Sequence, residues 1–110
     1  MAKEVSIVND SLDGLLRKDG ITVIRFTAPW CGPCRMLAPV MGEVAEKRDD
    51  VNFIKVDCDE NSDTPTRYGV RSIPYIVFVN DAGKVVKDHI GACSEKQINE
   101  LIDDAIATHS

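Results

Sequence analysis

The segment Ile21 to Thr27 constrains this chain most. It places apolar residues on both faces of a strand, so the sheet that holds it must be covered on both sides. Directly after it comes Trp30-Cys31-Gly32-Pro33-Cys34, and then an amphipathic helical pattern with Met36, Leu37, Val40, Met41 and Val44 on one stripe. A doubly covered strand that feeds straight into a helix is the working unit of an α/β layered domain. Pro39, inside the helical stretch, predicts a kink.

The remaining segments alternate in type. Val5 to Val8 reads as a weak strand, and Asn9-Asp10-Ser11 as the cap of a helix carrying Leu12, Leu15 and Leu16 on one face. Val51 to Asp57 is a third strand and Ser62 to Tyr68 a short helix. Pro74 to Asn80 and Lys84 to Ile90 flank Asp81-Ala82-Gly83, which reads as a hairpin turn. Ser94-Glu95-Lys96-Gln97 has capping-box spacing and opens a last helix with Ile98, Leu101, Ile102, Ala105 and Ile106 inward. The order βαβαβαββα implies a single α/β domain over residues 1–110. Its mixed sheet of about five strands would be flanked by about four helices.

The net charge is −5, and Lys and Arg are scattered rather than clustered. That argues against nucleic acid or an anionic membrane as partner. No apolar run approaches membrane-spanning length, and Met1-Ala2-Lys3-Glu4 lacks the apolar core of a signal peptide. The expected compartment is the reducing cytosol, where the four cysteines read as catalytic or free thiols rather than a disulfide framework.

Cys31 and Cys34 are one helical turn apart at a strand-to-helix junction. A thiol there sits against the unpaired N–H groups of the first helical turn, whose partial positive charge favours thiolate. The second thiol can attack a mixed disulfide from within the same molecule, so the chemistry implied is dithiol–disulfide exchange. Half of a zinc site has the same spacing. However, the other candidate ligands, Cys58, Cys93, His89 and His109, form no second pair. A purely structural disulfide would close too short a loop to restrict the unfolded chain much. By position, Cys31 should be the exposed thiol and Cys34 the shielded one.

From about Val5 to Ala107 the chain resembles a thioredoxin. The resemblance is carried by Trp30-Cys31-Gly32-Pro33-Cys34, by Val70-Arg71-Ser72-Ile73-Pro74, by Asp81-Ala82-Gly83, and by Gly91-Ala92 ahead of the last helix. It implies the thioredoxin fold and a general protein disulfide reductase, with Cys31 the attacking nucleophile and Cys34 the resolving thiol. Gly32 and Pro33 between the cysteines resemble the reducing branch, since isomerases and strong oxidases usually carry a His there. The resemblance also implies a cis Ile73–Pro74 peptide facing the cysteines. The Ile73 backbone would pair there with an extended substrate segment. Trp30, Gly32, Pro33, Ile73, Pro74, Ile90, Gly91 and Ala92 would form a small apolar docking surface. Lys55 falls where the family keeps a lysine near the resolving thiol; the alternative is an edge lysine with its head in water. No bound cofactor is implied. The expected partners are a flavoprotein thioredoxin reductase fed by NADPH and disulfide-containing proteins, and the expected state is a monomer.

Arg25 departs from the family, which typically holds a buried Asp six positions before the first cysteine. Arg25 shares a strand face with Ile21 and Val23 and cannot act as a base. It should either reach the sheet's end or pair with a carboxylate such as Asp57 or Asp59. A cation near Cys34 should favour its thiolate. Cys58 and Cys93 read as packing residues, with Cys93 the more interesting because it follows Ile90-Gly91-Ala92. A non-enzymatic interaction module on the same surface is the rival reading, and the intact cysteine pair argues against it.

Overall fold

The computed structural model describes residues 3–109. The elements run β1 (Glu4–Ile7), β2 (Thr22–Thr27), α1 (Gly32–Lys47), β3 (Asn52–Asp57), α2 (Asp63–Arg67), β4 (Tyr75–Val79), β5 (Val85–Ile90) and α3 (Glu95–His109). They build one five-stranded sheet in the order β1-β3-β2-β4-β5. β1 and β2 lie parallel to β3, and β4 lies antiparallel to both β2 and β5.

The alternation of side chains along β2 explains why both faces are apolar. Ile21 and Val23 join Leu37 and Met41 of α1 and Ile98 and Ile102 of α3 in one core cluster. Ile24 and Phe26 point the other way, into a second cluster with Ile7, Ile54, Val56 and Val77. Phe26 stacks on Tyr75 there, with ring centroids 6.0 Å apart. β2 is buried along its whole length, Arg25 included.

The last helix starts as its sequence requires. The Ser94 hydroxyl accepts from the Gln97 N–H at 3.1 Å, while the Gln97 side chain accepts from the Ser94 N–H at 2.8 Å. This reciprocal pair satisfies two donors that a helix start otherwise leaves free. α1 runs unbroken through Pro39. In the hairpin Gly83 sits at φ +80, a left-handed value that glycine adopts without penalty.

One expected helix does not form. The residues around Leu12, Leu15 and Leu16 are turns, so the sheet is flanked by three helices among the described residues rather than about four. The backbone explains why: Asn9 (φ 53), Asp10 (φ 59) and Gly14 (φ 79) are left-handed, which no right-handed helix tolerates. Asp10 is a cap, but of a different helix. Its carboxylate accepts from the N–H groups of Asp63 (3.1 Å) and Thr64 (2.7 Å) and from the Thr64 hydroxyl (2.7 Å), at the start of α2. Those bonds hold it below the usual carboxylate range, the Thr64 N–H contributing most. The leucines still reach the second core cluster, from turns.

Candidate active site

α1 begins at Gly32, which makes Cys31 its N-cap, in extended conformation at φ −92 and ψ 112. Pro33 lies in the first turn, where its missing N–H has no intrahelical partner to lose. The sulfur of Cys31 takes the part of a capping oxygen, accepting the Cys34 N–H at 3.3 Å. Cys31 and Cys34 are joined as a disulfide, with Cα atoms 5.2 Å apart. Cys31 is 6% exposed and Cys34 1%. The expected order holds, but Cys31 is a nearly buried sulfur rather than an open one. Ala28 and Ile73 wall it in.

Two chain segments meet beside it at the same end of the sheet, the start of β4 and the end of β5. The Ile73–Pro74 peptide is cis, and the Ile73 carbonyl oxygen lies 3.8 Å from Cys31 Sγ. The Gly91 N–H donates to the Pro74 carbonyl at 2.8 Å, and Ile90 is the register partner of Tyr75. Gly91 has φ +99, outside the range of L side chains. Trp30, 69% exposed, and Ile90, 63% exposed, are large apolar groups left in solvent, and Pro33 and Ala92 are exposed too. The Trp30 indole N–H donates to Asp59 at 3.4 Å. A groove of about 250 Å³ beside Trp30 and Ile73 is lined by Cys58, Val70, Arg71 and Ser72 as well. Of the two extra cysteines, Cys58 therefore borders the site, whereas Cys93 packs against the core under α3. Burial first, then the carboxylates of Asp57 and Asp59, push the Cys58 thiol up, and burial alone does so for Cys93.

Behind Cys34 lies a cavity of about 170 Å³ lined by Arg25, Arg35, Lys55 and Asp57. Lys55 is half-buried there, the register partner of Arg25 across β2 and β3. Arg25 pairs with neither Asp57 nor Asp59, nor does it reach for solvent. It reaches across β3 to Glu4 on β1, where Nε and Nη2 donate to the two carboxylate oxygens at 2.8 Å each. The side chains are 3% and 13% exposed. The expected first strand runs from Val5 to Val8, whereas β1 begins at Glu4, so the partner of Arg25 lies one residue ahead of the expected strand. Glu4-Val5-Ser6-Ile7 alternates polar and apolar, which puts Glu4 on the face opposite Ile7, the face of Arg25. Among the described residues no three His, Cys, Asp or Glu side chains cluster as metal ligands.

The thioredoxin family model matches residues 3–104 of this chain. The chain belongs to the thioredoxin family. A thioredoxin of Mycoplasmoides gallisepticum is 40% identical over 91 residues, covering 83% of this chain and 90% of that one. A thioredoxin of Pseudomonas aeruginosa is 41% identical over 90 residues, covering 81% and 82%. Among solved structures, a reduced thioredoxin pre-protein of Schistosoma mansoni superposes with a TM-score of 0.84 at 31% identity, covering 96% of this chain and all of that one. Thioredoxins are protein-disulfide oxidoreductases, and here Cys31 and Cys34 form the redox-active pair. The family works with thioredoxin reductase and disulfide-containing proteins. No helix among the described residues is long and apolar enough to cross a membrane.

Proposed function

We propose that this thioredoxin reduces protein disulfides in the cytosol as a single-domain monomer, with Cys31 as nucleophile and Cys34 as resolving thiol. The observation that carries the reading is the setting of Cys31: an N-cap sulfur that accepts a helix N–H and lies beside the Ile73 carbonyl. The N–H and the helix dipole favour a thiolate on Cys31 once the pair is reduced. That thiolate attacks one sulfur of a substrate disulfide. A Cys31–substrate bond forms, and the other substrate sulfur leaves as a thiolate that takes a proton from water. Cys34, stripped of its proton, then attacks Cys31 Sγ; the Cys31–Cys34 bond forms and the first substrate sulfur leaves. Two electrons have passed to the substrate, and a thioredoxin reductase drawing on NADPH restores the dithiol.

Substrate binding falls to Ile73, Pro74, Ile90, Gly91 and Ala92, with Trp30, Gly32 and Pro33 beside them. Ile73 offers backbone groups to an extended segment, and Ile90 and Trp30 offer apolar surface. Lys55 and Arg25 support the pair from the cavity behind Cys34.

Insulin reduction coupled to a thioredoxin reductase tests the reading. The wild type turns over; Cys34→Ser accumulates a covalent insulin adduct on Cys31, and Cys31→Ser accumulates none. An adduct on Cys34 in the Cys31→Ser variant, with none in the other, would reverse the two roles. A protein whose biological activity survives the double Cys→Ser change would be an interaction module.

A further inference from the structure

The cavity behind Cys34 is lined by three cationic side chains, Arg25, Arg35 and Lys55, and one carboxylate, Asp57. Arg35 donates to the Pro29 carbonyl at 2.8 Å and Lys55 is half-buried. Arg25 is the buried one of the three, and its position is fixed by a single residue. The bidentate grip of Glu4 occupies Nε and Nη2, one edge of the planar guanidinium. Nη1 makes no hydrogen bond among the described residues, and Arg25 lines the cavity while Glu4 does not. Cys34 therefore shares its cavity with the cationic residue of the pair, whereas the compensating anion lies outside the cavity lining.

We propose that Glu4 is a positioning residue of the redox centre: it holds Arg25 against the Cys34 cavity and tempers its field, thereby setting how readily Cys34 becomes a thiolate. The proposal rests on the assignment of Cys34 as the resolving thiol and adds a residue from the edge strand to that step. The sign follows from the order of charges. A bare cation would stabilise the Cys34 thiolate strongly, whereas an ion pair seen from its cationic end does so partially. Neutralising Glu4 alone unmasks the cation. Replacing both partners by neutral groups removes the field and leaves no buried charge without its partner. The two changes must shift Cys34 in opposite directions. A purely structural role would produce no such reversal.

The test is the equilibrium of the Cys31–Cys34 couple with glutathione buffers between pH 6 and 10, read by alkylation and mass, for wild type, Glu4→Gln and Glu4→Gln/Arg25→Met. Ionisation of Cys34 appears as a break in the pH dependence. Arg25, Arg35, Lys55 and Asp57 are the charged groups lining its cavity, with Glu4 paired to Arg25 outside the lining, and the variants alter only Arg25 and Glu4. The break should fall by about half a pH unit in Glu4→Gln and rise by about one unit in the double variant. Above all the breaks the dithiol should be favoured about threefold more and about tenfold less, the latter equal to about 30 mV for this two-electron couple. Glu4→Gln keeps the side-chain shape, so its result is decisive even where the double variant does not fold. A break that stays in place or rises in Glu4→Gln, or one that falls in both variants, overturns the proposal. Coincident breaks with the Cys34→Ser insulin adduct intact refute Glu4 alone, whereas loss of that adduct refutes the resolving role itself.

Discussion

Asn61 is the residue whose loss should reach furthest through the structure for its size. It is 2% exposed, and its side chain ties three segments together. The amide nitrogen donates to the carbonyls of Ile7 (3.0 Å) and Asp57 (2.9 Å), and the amide oxygen accepts from the Asp10 N–H at 2.7 Å. The ends of β1 and β3 and the approach to α2 are thereby fixed, along with the loop that presents Cys58 and Asp59 beside Trp30. Asn61→Ala removes all three bonds; the Asp57 carbonyl keeps the Glu60 N–H at 3.1 Å, while the Asp10 N–H loses its side-chain acceptor. At about 1 kcal/mol net for each lost bond the change should cost about 3 kcal/mol. With a urea slope of about 1.5 kcal/mol per molar, the unfolding midpoint should fall by about 2 M with the slope unchanged. Asn61→Asp keeps the size and the acceptor but loses both donors. It also sets a carboxylate against two carbonyl oxygens, so it should be the worse of the two at pH 7. Those carbonyls raise the folded-state pKa of the new carboxyl above its unfolded value. Its protonated form can donate, so stability should be present below the unfolded pKa and be lost as pH rises through the folded one. Urea titrations of the oxidised proteins at pH 4.5 and 7 check both points. A loss under about 1 kcal/mol in Asn61→Ala, or an Asn61→Asp variant equally stable at both pH values, would refute the reasoning.

Gly91→Ala meets no neighbouring atom within 4 Å, so its penalty is conformational: at φ +99 it should cost about 1–2 kcal/mol, read by thermal unfolding. Because the Gly91 N–H anchors Pro74, kcat/KM for insulin should drop severalfold while far-UV circular dichroism stays unchanged. Tyr75 is pushed up from its ordinary value near 10 to about 12, first by burial and then by its hydrogen bond to Asp88. Its stabilising contribution should be complete below pH 10 and vanish as pH rises to about 12. Absorbance titration of the phenol should show this, with Asp88→Asn restoring part of the shift and burial retaining the rest.

The redox pair and its helix were legible in the residues because their determinants are local. A cysteine before Gly-Pro-Cys caps a helix through contacts spanning three positions, and the Ser94–Gln97 box closes over the same distance. The periodicity of β2 and α1 announced a doubly covered sheet, since burial on two faces leaves no alternation to mistake. The helix expected over Leu12 to Leu16 failed for the opposite reason. Asp10 could cap locally, but Thr64, 54 residues away, offered it two donors that only the folded chain brings near. Arg25 was visible as an anomaly, yet its partner was not. A guanidinium takes whichever carboxylate the strand register delivers, and the parallel pairing of β1 on β3 delivered Glu4. The chemistry of this protein was thus written in a short run of sequence. Which charges stand behind the resolving sulfur was decided by packing strands that are far apart in the chain, where no local propensity can act.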